Sequence, residues 1–418
     1  MKILRINKCF YLKGGAERHY FALSELLERN GHTVIPFSMQ DKRNRPTPYA
    51  KYFIRNIDYT KFSLKNIVKF FYNREAVKNL EQLIEHERPD IAHLHNVYHQ
   101  LTPAIIDVLK KHRIPVVMTL HDLKVVCPHY NVLHIDNKMC CDCQGKYFYR
   151  HLLGPCARRS FADFVKGILF TLESYHNARR YRQVDLLIAP SLFFKRMLVR
   201  AGFGERVVYL PHFYNAEATA PSDAGASSLA GVPDYIMYAG RLSVEKGVRD
   251  LIMAMNAVYR RRAGDIPRLL VAGDGPERDA LVRLARHLKM EDKIVFTGHL
   301  DVASLYGYLR GARAVVVPSV CYENAPNAVI EAMLLTKIVI CAKVGGLADM
   351  LEDGISGFFF KTGDTADMAR VIEQVVFRTA EDTLRGIAAK GRERILLTRD
   401  PEHYYQKILA LYQSVTWP

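Results

Sequence analysis

Short runs of aliphatic and β-branched residues recur along the chain, separated by longer amphipathic stretches. Runs that are apolar throughout, with no alternation, mark strands covered on both faces in a parallel sheet. Ile3–Asn7 reads as the first such strand, and Leu12-Lys13-Gly14-Gly15-Ala16-Glu17-Arg18 as the turn after it. Phe21, Leu23, Leu26 and Leu27 then give the apolar face of a helix, which stops at Asn30-Gly31 before a strand at Thr33–Phe37. This is a βαβ opening whose first turn carries a glycine pair but not the full G-x-G-x-x-G fingerprint. Glycine there still lets the backbone approach a ligand closely. Asp90–Asn96 and Pro115–Asp122 are two more buried strands, ending in His95-Asn96 and His121-Asp122. Ligands in open α/β sheets sit at the carboxyl ends of strands, so these histidines are site candidates. Phe161, Phe164, Val165, Ile168, Leu169, Leu172 and Tyr175 recur at helical spacing over Ser160–Gln183. Strand Asp185–Ala189, helix Leu192–Ala201 and the run Val207–Asn215 close the first half.

Between Ala216 and Pro233 the chain turns to Ala, Ser, Gly and Pro, a linker composition, which sets domains at 1–215 and 234–398. The second half restarts the rhythm. Strand Tyr235–Ala239 leads into Gly240-Arg241-Leu242-Ser243-Val244-Glu245-Lys246-Gly247, and strand Arg268–Ala272 into Gly273-Asp274-Gly275-Pro276-Glu277. Strand Lys293–Phe296 leads into Thr297-Gly298-His299, and strand Ile338–Cys341 is followed by Gly345-Gly346. The central stretch is Ala314-Val315-Val316-Val317-Pro318-Ser319, a short buried strand, followed by Tyr322-Glu323-Asn324-Ala325-Pro326-Asn327-Ala328-Val329-Ile330-Glu331. Pro326 suits a first helical position, with Ala328, Val329, Ala332 and Met333 as the apolar stripe. A strand, a loop and a helix N-terminus make an anion site, most naturally for phosphate. Carboxylates beside a phosphate are repelled by it, so Glu323 and Glu331, eight positions apart, are expected to face neutral donors such as sugar hydroxyls. Arg241 and Lys246 are the cations for a diphosphate, Arg through its fork and Lys as a point charge. A helix is expected from Pro401 to Tyr412, within 399–418.

Length changes the picture little: 418 residues suit two domains, and no apolar run approaches the roughly 18 residues of a membrane span. The opening residues read as a strand rather than a signal peptide, so a cytoplasmic protein is expected. Charge changes it more. Residues 1–215 hold 34 basic and 18 acidic residues, whereas 216–418 hold 25 of each, so the whole formal excess of +16 lies in the first half. Such a field suits a polyanion, a nucleic acid or an anionic membrane. Residues 51–74 sharpen it: Lys61, Lys65 and Lys69 repeat at four, Leu64, Ile67, Val68 and Phe71 take another face, and Phe53, Phe62, Phe70 and Tyr72 are interleaved. That describes an interfacial basic helix or a surface helix with a solvated lysine face. Among eight cysteines, Cys127, Cys140, Cys143 and Cys156 could staple the loop region 123–160 as a structural zinc site; reduced thiols are the alternative.

With Gly-Arg-Leu-Ser-Val-Glu-Lys-Gly, Gly-Asp-Gly-Pro-Glu and Glu-x₇-Glu in one order, the chain resembles the family 4 retaining glycosyltransferases of the GT-B fold over essentially its whole length, most strongly over 235–375. The resemblance implies an α/β protein of two Rossmann-like α/β/α domains facing a central cleft, the first binding the acceptor and the second the nucleotide sugar. It implies a C-terminal helix that crosses back to the first domain and a hinge near 213–233. Arg241 and Lys246 would bind the donor diphosphate, Glu331 the ribose, and Glu323 with the backbone of Asn324, Ala325, Pro326 and Asn327 the donor sugar and phosphate. His121 matches a histidine near the transferred sugar, Gly14 and Gly15 the glycine turn beside phosphates and acceptor, and Gly273 the donor loop; Asn96 and Lys13 also carry over. Where the family often has glycine after the first glutamate, Asn324 stands here. The implied reaction retains configuration and needs no metal, with front-face attack assisted by the leaving diphosphate. No Asp-x-Asp metal motif is evident.

Together these point to a UDP- or GDP-sugar donor, a polyprenyl-diphosphate-linked or other glycan acceptor, and peripheral attachment to the inner face of an anionic cytoplasmic membrane during bacterial surface-polysaccharide assembly. A sugar-nucleotide epimerase and a sucrose- or glycogen-synthase-like transferase share the pattern. A nucleic-acid partner is not expected: no recognisable nucleic-acid-binding motif is present, and that role would leave Arg241, Lys246 and Glu331 unexplained.

Overall fold

The computed structural model describes residues 1–59, 63–129, 143, 145–154, 160–214, 234–262 and 266–416. The apolar runs become twelve strands in two parallel six-stranded sheets. The first sheet is built from β1 (Lys2–Ile6), β2 (Thr33–Phe37), β3 (Ile91–Leu94), β4 (Val116–Thr119), β5 (Leu186–Ala189) and β6 (Val207–Tyr209), in the order β2-β1-β3-β4-β5-β6. Every residue of β3, β4 and β5 is buried, as continuous apolar strands require. The second is built from β7 (Tyr235–Ala239), β8 (Arg268–Ala272), β9 (Ile294–Gly298), β10 (Ala314–Val317), β11 (Ile338–Ala342) and β12 (Phe358–Phe360), in the order β12-β11-β10-β7-β8-β9. β9 starts one residue later and ends two residues beyond the expected strand, because a register shift at Val271/Ala272 brings Gly298 opposite Ala272.

By internal contacts the chain divides into two compact units, one carrying the first sheet through His212 together with the terminal helix, the other running from Phe213 to Asp400. The terminal helix, Pro401–Thr416, is held by tyrosines that meet histidines of the first sheet and its helices. Tyr412 Oη lies 2.6 Å from His93 Nδ1, Tyr405 Oη 2.9 Å from His32 Nε2, and Tyr404 Oη 3.3 Å from His19 Nε2.

The structure corrects two local expectations, the continuous helix over 51–74 and the place of Pro326. Residues 51–74 do not form one basic helix. Pro48–Tyr52 is a 3₁₀ turn, Leu64–Phe71 is a separate helix, and Asn73 caps the next helix by accepting from Glu75 N and Ala76 N. Phe53 is buried against Phe10, Tyr20 and Phe21, and Lys69 pairs with Glu75 at 3.4 Å; Lys61 and Phe62 lie outside the described residues. The helix Phe161–Tyr181, capped by Ser160 Oγ, does not bury its whole apolar stripe, since Phe161 is 82% and Leu172 52% exposed. Pro326 sits at the N-cap of helix Asn327–Leu334 rather than inside its first turn. The span 216–233 lies outside the described residues, as do Cys140 and Cys156.

Candidate active site

Counted from β7, the second sheet has the order 3-2-1-4-5-6, so strand order reverses between β7 and β10. At such a reversal the two following connections run to opposite faces and leave a crevice beyond the strand ends. Both candidate motifs lie there. The loop after β7 runs from Gly240 through a 3₁₀ turn, Val244–Lys246, and is shaped by Tyr238 Oη donating to the Arg241 carbonyl at 2.8 Å. It is stitched to the loop after β10 by Val320 N donating to the Glu245 carbonyl at 3.0 Å. Gly247 is at φ 68°, and a Cβ there would stand 2.0 Å from the Pro318 carbonyl oxygen, so only glycine lets the two loops close.

Lys246 Nζ lies 2.5 Å from Glu323 Oε1, which also accepts from Ser319 Oγ at 2.6 Å. Burial opposes charge on both partners, but their attraction outweighs it: the carboxylate is held below its usual range and the ammonium above its own. This corrects the expectation that Glu323 is turned to neutral donors. An ammonium has three N–H groups, so Lys246 can hold Glu323 and still reach a phosphate oxygen. Arg241 is exposed and makes no ion pair among the described residues. Glu331, one turn into helix Asn327–Leu334, is 7% exposed, and Asn324 is similarly buried. Pro326 has no N–H, so the free donors at this helix start begin with Asn327. Gly273 answers to packing: at φ 133°, its Cβ would stand 1.9 Å from the Gly240 carbonyl oxygen.

In the first unit, His121 follows β4 and His95 follows β3, and His95 Nδ1 lies 2.8 Å from His121 Nε2. Burial, with Arg5 and Lys8 nearby, pushes His121 down to about 3. His19 and His212 stack at 3.8 Å between ring centroids, and His121 lies 5.9 Å and 5.3 Å from them. Gly14 caps helix Gly15–Arg29 in an extended conformation open to any residue, and both glycines are exposed together with Lys13. Asn96 is buried, its backbone N–H donating to Asn7 Oδ1. Cys127 and Cys143 are buried near each other in sequence, but the other two cysteines of the expected zinc set are undescribed. Among the described residues, Glu81, Glu85 and His112 are close enough to share a metal. Arg5 and Ser319 escaped the sequence reading. The signal for Arg5 was a charge inside an otherwise apolar strand; Ser319 had none.

Residues 13–218 match the family described as Glycosyltransferase Family 4, and residues 233–378 match Glycosyl transferases group 1. The chain belongs to the family 4 glycosyltransferases. Among relatives of this family 4 member, glycogen synthase of Mycobacterium tuberculosis is 32% identical over 160 residues, 38% of each chain. The matched stretch therefore spans little more than a third of that relative's length. An uncharacterized 42.6 kDa protein in the cps region of Klebsiella pneumoniae is 21% identical over 84% of this chain and 87% of its own. Anabaena HepE, solved in complex with UDP and glucose, superposes with a TM-score of 0.66 at 19% identity, covering 99% of this chain and 100% of its own. That likeness shows the GT-B fold.

Proposed function

We propose that this glycosyltransferase moves a sugar from a UDP- or GDP-sugar to a polyprenyl-diphosphate-linked or other surface-glycan acceptor in bacterial polysaccharide assembly. Transfer retains configuration and uses no metal. The observation that carries the donor reading is the strand-order reversal between β7 and β10, where the loop carrying Arg241 and Lys246 is joined to the loop that leads into helix Asn327–Leu334 through Val320 N and the Lys246–Glu323 pair, with Glu331 one turn into that helix. As the sugar–phosphate bond breaks, negative charge grows on the leaving diphosphate, and fixed cations and backbone N–H groups stabilise it more than the ground state. Glu331 would accept from the ribose hydroxyls, and His121 would face the transferred sugar. HepE's complex with UDP supports a nucleotide sugar as donor.

Thermal stabilisation by UDP, GDP and ADP tests this. One nucleotide at 100-fold excess over its Kd should stabilise the protein by about 2.7 kcal/mol. Glu331→Gln should weaken that nucleotide about tenfold or more, through loss of a charge-assisted hydrogen bond. No shift with any nucleotide, or a shift untouched by Glu331→Gln, would count against the assignment.

The acceptor reading draws on the Klebsiella relative's cps region and on exposed apolar side chains in the half of the chain that carries the whole positive excess. Leu64 and Val68, 77% and 62% exposed, share one face of helix Leu64–Phe71; Phe161, Phe164, Val165 and Leu172 line the exposed face of helix Phe161–Tyr181. The two helices touch, Phe70 stacking on Phe170 at 5.8 Å. We place peripheral attachment to the inner face of the cytoplasmic membrane on this patch. Vesicles containing phosphatidylglycerol should sediment the wild type, with binding falling as salt rises, and should not sediment the variant with Leu64→Ser and Phe161→Ser. Among the described residues no helix is long and apolar enough to cross a membrane. A soluble-acceptor reading, favoured by the glycogen synthase similarity, predicts no vesicle binding by either protein.

A further inference from the structure

Arg5 lies in the middle of β1 at 0% exposure. Its Nη2 reaches the Tyr20 carbonyl oxygen at 3.2 Å and His95 Nε2 at 2.7 Å, while its Nε and Nη1 are buried without a partner. His95 Nδ1 in turn lies 2.8 Å from His121 Nε2, with the two rings stacked at 5.1 Å. The direction of these bonds follows from chemistry. A guanidinium has only N–H donors, so His95 Nε2 must accept. A neutral imidazole carries one proton, and on His95 it is therefore on Nδ1. That Nδ1–H donates to His121, whose Nε2 must be bare. A proton on His121 Nε2 would face another N–H, and His95 could accept it only by breaking with Arg5.

We propose that Arg5 and His95 are positioning residues that hold His121 as a neutral imidazole with its proton on Nδ1, so that it meets the transferred sugar as an uncharged hydrogen-bond donor and not as an acid. This rests on the reading of His121 as the residue that faces the sugar. As the sugar becomes oxocarbenium-like it gains positive charge, and an imidazolium beside it would raise the barrier. A neutral N–H orients a hydroxyl without that repulsion.

The surroundings agree. Arg5 and Lys8 are the charged groups acting on His121, and both oppose its protonation. His19 from helix Gly15–Arg29, His93 and His95 from β3 and its end, and His212 are the other titratable rings around it. Asp122, the next residue, is engaged elsewhere, accepting from Tyr98 Oη and from Lys124 N.

The test is ¹⁵N spectroscopy of the full chain labelled at histidine, from pH 8 to pH 6. His121 is expected as the Nδ1–H tautomer throughout, with no titration; an Nε2–H tautomer, or a midpoint near the ordinary 6.5, overturns the proposal. His95→Leu should release the ring from its hydrogen bond and give a mixed tautomer, with burial, Arg5 and Lys8 still holding it neutral. Release of UDP from UDP-glucose should then fall about tenfold or more in kcat with KM nearly unchanged, as for an interaction made in the transition state. Arg5→Lys keeps a donor-only group beneath His95 and should retain the tautomer and most of the rate. A lost tautomer with unchanged kcat also overturns the positioning role. Should His95→Leu fail to fold, the wild-type and Arg5→Lys spectra still decide. Failure of the wild type to turn over UDP-glucose would speak to the donor and the reaction, leaving the tautomer result standing on its own.

Discussion

Lowering the pH from 7 to 5 is expected to unfold the first unit before the second. His19, His93 and His95 are all but fully buried, and burial, aided by Arg5 and the neighbouring rings, holds each well below its ordinary value. In the unfolded chain the same rings titrate near 6.5. Below that pH the unfolded form therefore binds more protons than the folded one, and stability falls by up to about 1.4 kcal/mol per pH unit for each ring. Three rings give a slope near 4 kcal/mol per unit, about 6 kcal/mol between 6.5 and 5, enough to consume the lower end of a typical domain's 5–15 kcal/mol. Glu323 behaves oppositely. Its folded value lies below the unfolded one, so its contribution is present above about 4.3 and is lost only as pH falls through the lower folded value. Hydrogen exchange read by mass spectrometry at pH 7, 6 and 5 would show it: peptides from 1–30 and 90–122 should lose protection first, those from 235–272 last. Equal loss in both sets would contradict this account.

Replacing Lys246 with alanine is expected to have two effects that a second substitution separates. With its ammonium gone, the Glu323 carboxylate, 12% exposed, keeps Ser319 but loses its counter-charge. Breaking a buried pair from one side costs about 3–5 kcal/mol, and partial exposure of Lys246 places this case at the lower end, about 3. Stabilisation by nucleotide should vanish too, since the diphosphate loses a fixed cation. Pairing Lys246→Met with Glu323→Gln removes both charges and should recover most of the stability in a denaturant melt without restoring the nucleotide shift. Recovery of both would mean that Lys246 serves only the fold.

The strands were the most legible part of the sequence, because a strand buried on both faces shows itself as an unbroken apolar run. Thr33–Phe37, Tyr235–Ala239 and Arg268–Ala272 have the same bounds in sequence and structure. Residues 51–74 misled for a physical reason. Lysines at a spacing of four suggest one continuous helix, but Asn73 holds the N–H groups of the helix after it and so stops the one before. Pairings between distant positions were invisible. Lys246 and Glu323 are 77 residues apart, Arg5 and His95 are 90 apart, and no local pattern specifies which charge meets which partner. Helix Phe161–Tyr181 shows the converse limit: periodicity reports that a face is apolar, but not what lies against it.

The tyrosines of helix Pro401–Thr416 place a constraint on the order in which the protein can mature. They close onto His19, His32 and His93 across 385, 373 and 319 positions of sequence, with the entire second unit synthesised in between. At about 5–20 residues per second, the first sheet waits on the ribosome for tens of seconds before the helix that covers these histidines emerges. During that interval the faces meant for Tyr404, Tyr405 and Tyr412 stand open in a nascent chain with a net positive charge, and contacts of such long range are slow to form. A ribosome that stalls or terminates before residue 401 would therefore release not a shorter version of the same fold but a first sheet lacking its cover, a natural substrate for chaperones and proteases.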